Sequence, residues 1–310
     1  YRRIAATING YLGGGLSVGA SRLTAARERN AVSRVILISD GLANVGVVDT
    51  VSLNTMAASA RQKRASVTTM GVGLSFDELL LQSIAEYGGG RYHYISRAQD
   101  LVAIFRQEIR GAQAIVATGI DLRLRACKGC RVDSVPGYAV HRRPGGVRIA
   151  VSDLAGGETM KALVKVKLPR KGTAARKIGL QLSYKAVRAK RSHTLAGGVS
   201  FRVTKDLARV KRTVDKRVAG RVARVQANQL AHRAMTAYKS GNTAVAGQLL
   251  RSAASRLRSH ARRYKAKRYH FEADQLSAAL RKVRRAKKRP ARRRHLIKKI
   301  RARASSAYRR

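Results

Sequence analysis

The chain is poor in aromatic side chains and has no long apolar run. It contains no tryptophan and four phenylalanines among 310 residues. Aromatic platforms, on which many proteins stack the bases of single-stranded nucleic acids, are therefore scarce. No stretch approaches the roughly 18 consecutive apolar residues of a membrane-spanning helix, so we predict no such helix. Hydrophobic residues still make up 45% of the chain, which is enough for ordinary folded cores.

Cysteine is also scarce, since the sequence has only Cys127 and Cys130. They flank a Lys-Gly pair at a turn between two predicted strands, where they could face each other across a hairpin. We expect either a disulfide, which would suit an oxidising compartment, or two unreactive thiols. A redox pair would be expected at the start of a helix, and a zinc site would need a second pair of ligands.

Little in the sequence indicates catalysis. The seven histidines are scattered, and none lies in a context typical of an activated serine or cysteine nucleophile. The phosphate-binding pattern Gly-x-x-x-x-Gly-Lys-Ser/Thr is absent. We therefore expect a protein that is not an enzyme and that carries no cofactor.

Acidic residues are few: 16 Asp and Glu stand against 66 Lys and Arg, for a formal net charge of +50 at pH 7. A small soluble domain usually carries a charge of magnitude about 2–8. Residues 205–310 alone hold 34 basic and four acidic residues. A solvated helical face is one explanation, although such faces usually mix charges of both signs. The other is binding of a polyanion, either nucleic acid or an anionic membrane surface, without a sequence-specific motif. The candidate residues are Arg284, Arg285, Lys287, Lys288, Arg289, Arg292, Arg293 and Arg294.

Buried strands alternate with helices in the first third of the chain. Val35–Ser39 is followed at once by Asp40 and Gly41, and further strands are predicted at Ala65–Gly73 and Gly88–Ile95. Helical patterns separate them, which is typical of βαβ units with a parallel sheet. Asp40 then lies at the carboxyl end of a strand, where open α/β sheets bind ligands. It could instead cap the helix that follows.

The order of a Ser-Asp-Gly strand, a Gly-Val-Gly strand and a Gly-Gly-Gly-Arg-Tyr strand resembles that of von Willebrand factor type A domains over residues 1 to about 110. The resemblance is greatest to the bacterial branch related to calcium-activated chloride-channel-like proteins. It implies an α/β fold, a protein-interaction or adhesion function, and a location in the cell envelope. The implied interaction residues are Gly10, Gly13, Gly14, Gly15, Asp40 and Asn44.

Domains of this family often hold a metal ion between three loops, which supply Asp-x-Ser-x-Ser, a threonine and an aspartate. Of these, only the aspartate has a counterpart in this chain, Asp40. Gly10 falls where the threonine is expected. One carboxylate cannot satisfy Mg²⁺, which prefers six oxygen ligands. We therefore expect a degenerate site, with Mg²⁺ bound only if residues preceding this chain supply further ligands.

The absence of the Asp-x-Ser-x-Ser strand predicts an N-terminally truncated domain. Tyr1 would then lie inside the helix before the second loop, and Val35–Ser39 would lie at an exposed edge of an incomplete sheet. Exposed strand edges pair readily with other chains. We therefore expect a partner segment or self-association at this edge.

The remaining sequence changes character twice. Residues 112–204 mostly alternate apolar with polar side chains between Gly- and Pro-containing turns, which predicts an antiparallel β-sandwich. Residues 205–310 have helical periodicity, with one long helix expected from Lys205 to about Lys239. We predict three domains: a partial α/β domain at 1–111, a β-sandwich at 112–204 and a basic helical region at 205–310.

Overall fold

The computed structural model describes residues 4–7, 11–25, 32–169, 175–189, 191–285 and 290–307. The chain divides into two compact units. The first unit comprises Tyr1–Met160 and Val164–Val203, and the second, called here the helical unit, comprises Lys161–Leu163 and Thr204–Arg310.

A four-stranded parallel sheet opens the first unit. Its strands lie side by side in chain order: β1 Ile4–Thr7, β2 Ser33–Ser39, β3 Ala65–Val72 and β4 Gly89–Ile95. The helices that alternate with them are α1 Leu12–Ala25, α2 Thr50–Gln62, α3 Glu78–Tyr87 and α4 Ala98–Gln113.

Successive side chains of a strand point to opposite sides of the sheet, and helices cover both faces here. Val35 and Leu37 of β2 pack with apolar residues of α1, α2 and α3 in one core cluster. Ile36, between them, packs in a second cluster with Leu101 and Phe105 of α4. Burial on both faces explains why β2 reads as a continuous apolar run.

Two expectations for the start of the chain are wrong. The stretch Ile4–Thr7, expected to be helical, forms strand β1 and pairs in parallel with Val35–Ile38. The Val35–Ser39 strand therefore has a neighbour on each side and is not at an exposed edge. The backbone N–H and C=O groups along this side of β2 need hydrogen-bond partners. This requirement favours the strand pairing over the local helical tendency of four residues. Self-association of the chain stays a prediction.

Antiparallel strands form the rest of the first unit. They are β5 Ile115–Arg125, β6 Arg131–Ser134, β7 Val140–Arg143, β8 Gly146–Ala150, β9 Leu154–Ala155, β10 Lys165–Lys167, β11 Ala175–Ala186 and β12 Ser192–Arg202. Six strands form one sheet, in the order β12-β11-β5-β8-β7 with β9 also on β5, while β10 pairs with β6. Val132 of β6 and Ile149 of β8 share one core cluster. The antiparallel fold is as expected, and its description as a β-sandwich stays a prediction.

Cys127 and Cys130 are joined by a disulfide, with their Cα atoms 5.0 Å apart. The turn between them is closed by a hydrogen bond of 2.8 Å from the Cys130 N–H to the Cys127 carbonyl. The expected hairpin is wrong, however, because β5 and β6 on either side of the turn pair with other strands. The disulfide therefore cross-links the segment that connects two sheets.

The helical unit contains α5 Leu207–Arg212, α6 Lys216–Lys239, α7 Thr243–Tyr264, α8 Lys267–Arg285 and α9 Pro290–Ala307. The single helix expected from Lys205 to Lys239 is in fact two, because Asp215 caps a new helix by accepting from the N–H groups of Arg217 and Val218. Alanines such as Ala231 and Ala234 are fully buried in the core, which lets the helices approach closely. Within the described residues, the structure contains no helix long and apolar enough to cross a membrane.

Candidate functional site

The connection after β2 lies at the carboxyl edge of the parallel sheet. We define the carboxyl rim as Tyr11 together with residues 40–51, which run from the end of β2 into the first turn of α2. Asp40 and Asn44 are both exposed in this segment. The rim is thus where the sequence placed a ligand-binding edge, and the structure describes both of these predicted residues there.

The described glycines predicted as part of an interaction loop lie at the start of α1. Gly13, Gly14 and Gly15 lie in the first turn of α1, and Gly13 and Gly15 are buried. A side chain at Gly14 would collide with the Tyr11 ring, as would one at Gly46 on the other side of that ring. The two glycines therefore leave room for Tyr11 at the surface. Gly10 lies outside the described residues.

Apolar side chains dominate the exposed surface of the rim. The fractional exposure of the largest is 58% for Leu42, 53% for Val45 and 75% for Val51. Tyr11, Val47 and Val48 are each exposed by 40% or more. An exposed patch of this kind, rimmed by polar groups, is typical of protein-binding surfaces.

This apolar patch was not predicted from the sequence. Its signal was present in the residues Leu42, Val45, Val47 and Val48, which lie in the connection between a predicted strand and a predicted helix. Connections usually carry polar residues, so several valines there indicate a surface that is covered by something else. Tyr11 could not be found in this way, because its contact with Gly46 joins distant parts of the chain.

Two acidic groups near the rim cap helices. Asp49 caps α2 by accepting a 2.8 Å hydrogen bond from the Ser52 N–H, and this bond lowers the pKa of its carboxyl group. Asp77 likewise caps α3, accepting from the N–H of Leu79 at 2.9 Å. The Ser39 hydroxyl donates to the Gly41 carbonyl at 2.9 Å.

Asp40 is left as a single exposed carboxylate. Across the described part of the chain, no three His, Cys, Asp or Glu side chains are grouped so that they could hold a metal ion. The residues of the rim thus do not fit the oxygen cage that Mg²⁺ requires.

Basic residues cluster in the helical unit, the second candidate site. Of the predicted polyanion-binding residues, Arg294 is exposed and Arg293 is half-buried on α9. Arg284 and Arg285 end α8 and Arg292 lies in α9, whereas residues 287–289 lie outside the described part of the chain. These positions bring the two ends of the basic run onto two consecutive helices.

Few acidic groups neutralise this unit. Glu272 pairs with Arg224 at 3.2 Å, and Asp274 pairs with Arg258 at 3.0 Å. Both acids lie on α8, and Asp215, before α6, pairs with Arg217 at 3.6 Å. The charge density predicted from the sequence is therefore present at the surface of the folded helices.

Comparisons with known proteins complete the picture of the fold. No protein-family model matches the chain. A curated relative, the "Uncharacterized protein YfbK" of Escherichia coli (strain K12), is 28% identical over 113 residues, which are 36% of this chain and 20% of that protein.

Solved structures match over more of the chain. A von Willebrand factor type A protein from Catenulispora acidiphila has a TM-score of 0.63 at 18% identity, covering 86% of this chain and 61% of its own. The ArnB paralog VWA2 from Sulfolobus acidocaldarius has a TM-score of 0.56 at 13% identity, covering 96% of this chain and 71% of its own. Human COPII-coat protein Sec24c has a TM-score of 0.51 at 13% identity, covering 93% of this chain and 42% of its own. The chain spans a fifth of its curated relative, and its fold is that of von Willebrand factor type A proteins.

Proposed function

We propose that the chain is a non-enzymatic interaction module that binds a protein partner through the carboxyl rim. The observation that carries this proposal is the exposure of Leu42, Val45 and Val51 beside Asp40. The buried centre of an interface is more apolar than its periphery, where polar groups such as Asp40 and Asn44 would lie. A relation to the bacterial chloride-channel-like branch and a location in the cell envelope stay predictions.

Site-specific crosslinking tests this proposal. A photo-crosslinking residue at Val48 would be compared in the wild-type protein and in the Leu42→Asp/Val45→Asp variant, in the cells of origin. We expect discrete crosslinked products whose yield falls about tenfold in the variant, since a charge buried in an apolar interface is costly. The matched control is Val102→Asp/Val116→Asp, which adds the same charges at other exposed positions of the first unit. Equal yields in all three proteins would contradict the proposal.

We further propose that the rim binds its partner without a metal ion of its own. The support is the donor set: Asp49 and Asp77 cap helices, and Asp40 is exposed. Titration calorimetry with Mg²⁺ and Mn²⁺ should give no saturable heat with this chain. Tight binding that is lost in Asp40→Asn would show that the degenerate site is in fact complete, with ligands from residues outside the described part.

A second candidate function is the binding of a polyanion by the helical unit. It is supported by the excess of basic residues at 205–310 and by the exposure of cations such as Arg294. Binding by this route depends on the release of counterions and must weaken steeply as salt rises. We expect affinity for duplex DNA or anionic vesicles to fall at least about tenfold between 50 and 200 mM salt. Affinity that does not change with salt would contradict the electrostatic account.

A further inference from the structure

An open cavity of about 810 Å³ lies in the first unit, away from the carboxyl rim. One wall is α4, and another is the turn that follows β9, Gly156–Glu158. Arg34, at the start of β2, also lines it. Asp40 follows the other end of that strand, about 20 Å away at 3.3 Å per residue. The cavity is therefore separate from the surface proposed to bind protein.

Four arginines and two acidic residues line the cavity. They are Arg34, Arg91, Arg106, Arg110, Asp153 and Glu158. Burial raises the pKa of Asp153, although the charge of Arg34 and a hydrogen bond from Ser66 oppose this effect. The lining thus carries a positive charge that its own acids do not cancel.

Two of the arginines are held in place by carboxylates. Arg34 donates to Glu108 at 2.8 Å and to the Ser66 hydroxyl at 3.3 Å. Arg91 donates to Glu158 at 2.8 Å, and the second oxygen of Glu158 lies 3.3 Å from the backbone N–H of Ala155. These contacts fix two walls of the cavity, because they tie strands β2 and β4 to α4 and to the β9 turn.

The other two arginines have no carboxylate within ion-pair distance among the described residues. Arg106 and Arg110 are exposed and lie one helical turn apart on α4. Like charges at this spacing repel each other and destabilise the helix. An anion held between the two guanidinium groups would remove the repulsion, so their placement beside a cavity favours a negatively charged ligand.

We propose that this cavity binds a small, multiply charged anion, either a phosphate ester or a polycarboxylate. A guanidinium group presents two parallel N–H donors that match the oxygens of both groups. The cavity volume is within the range of small-molecule sites. Its described lining contains no aromatic ring, so the ligand is recognised by charge and not by stacking. Arg106 and Arg110 are its main contacts, and Arg91 also lines the cavity.

Arginine footprinting tests the proposal on the whole chain. Phenylglyoxal modification would be measured by peptide mass spectrometry with and without pyrophosphate or citrate, at constant ionic strength. We expect either probe to reduce modification of Arg106 and Arg110 several-fold. Arg123 and Arg143 serve as controls in the same molecule, since they are exposed but do not line the cavity. Equal protection of all four arginines, or none, would overturn the proposal.

Variants then distinguish a specific anion site from non-specific attraction of anions to a basic protein. The change Arg106→Gln/Arg110→Gln should weaken binding of the better probe about tenfold or more, because charge-assisted hydrogen bonds are lost. The matched control Arg123→Gln/Arg143→Gln removes the same charge and should change affinity less than twofold. Arg106→Lys/Arg110→Lys keeps the charge without the paired donors, so its affinity for the probe should lie between those of the two glutamine variants. Equal weakening in the two Gln pairs would contradict the proposal, and the stronger of the two probes identifies the ligand class.

Discussion

The guanidinium group of Arg34 donates a 2.8 Å hydrogen bond to the carboxylate of Glu108, which joins β2 to α4. The Glu108 side chain is 1% exposed, and a ring nitrogen of His93 lies 3.0 Å from its other oxygen. Burial raises the pKa of Glu108, but the hydrogen bond with His93 and the charges of Arg34 and Arg91 outweigh it and hold the pKa below its usual value. The helix is therefore fastened to the sheet by charge as well as by apolar packing.

Glu108→Gln should destabilise the first unit strongly. The change leaves the largely buried Arg34 without its partner carboxylate, and breaking a buried ion pair in this way typically costs about 3–5 kcal/mol. The free energy of unfolding in urea measures the effect. Glu86→Gln is the matched control, because Glu86 accepts a hydrogen bond from the neutral side chain of Gln82, one turn away. A loss of less than about 1 kcal/mol for Glu108→Gln would contradict this account.

Sequence patterns predicted the parts of the first unit whose burial is periodic. The apolar run Val35–Ile38 identified β2, which extends from Ser33 to Ser39. The fold of von Willebrand factor type A domains was implied by the resemblance of three strand motifs to that family. Local patterns were sufficient here because each strand and helix has a burial period of its own.

Features that depend on contacts distant in sequence could not be predicted. Strand β1 exists by pairing with β2 and has no periodic signal in its four residues. The contact of Glu108 with Arg34 spans 74 residues. The break at Asp215 is a local signal that was overlooked, since an aspartate before a helical pattern is a common N-cap.

Acid should destabilise the helical unit through His232. Burial, followed by the charge of Arg301, lowers the pKa of this histidine from 6.5 to about 4. The unfolded chain then binds more protons than the folded chain between these two values, so stability falls as the pH falls. The contribution of neutral His232 to the free energy of unfolding is complete above about pH 6.5 and is lost by about pH 4. The total loss is about 3 kcal/mol.

Unfolding of the helical unit at pH 7, 5.5 and 4.5 checks this expectation. His232→Gln should flatten the dependence on pH in that window, because glutamine does not titrate. Burial also lowers the pKa of His260 and His295, which contribute with the same sign and remain in the variant. An unchanged slope in His232→Gln would contradict the assignment.

A methyl group at Gly71 should disrupt the packing of β3. An added Cβ would overlap the ring of Phe76, which is 3% exposed and belongs to the buried core. Overpacking of this kind typically costs about 1–3 kcal/mol. Gly41→Ala is the matched control, since nothing lies within 4 Å of an added Cβ there. Thermal unfolding should show a lower Tm for Gly71→Ala alone, and equal effects of the two changes would contradict the argument.

Arg61 should couple the parallel sheet, on which α2 packs, to the six-stranded antiparallel sheet of the first unit. Its guanidinium group, on α2, donates to the carbonyls of Ile120 at 2.6 Å and of Val151 at 3.1 Å. Burial lowers the pKa of Arg61, while the charges of Asp121 and Asp153 oppose this shift.

Arg61→Met keeps much of the apolar length of the side chain and removes both hydrogen bonds. Bonds to a charged donor contribute about 1.5–3 kcal/mol each, and the loss leaves two carbonyls without this donor. Hydrogen exchange should then show faster exchange in β5 and β8, while β2 and β3 keep their protection, because the antiparallel strands lose their tie to α2. Arg123→Met, at an exposed position of β5, is the control. Equal acceleration in all four strands would mean that Arg61 supports the whole unit and does not couple two parts of it.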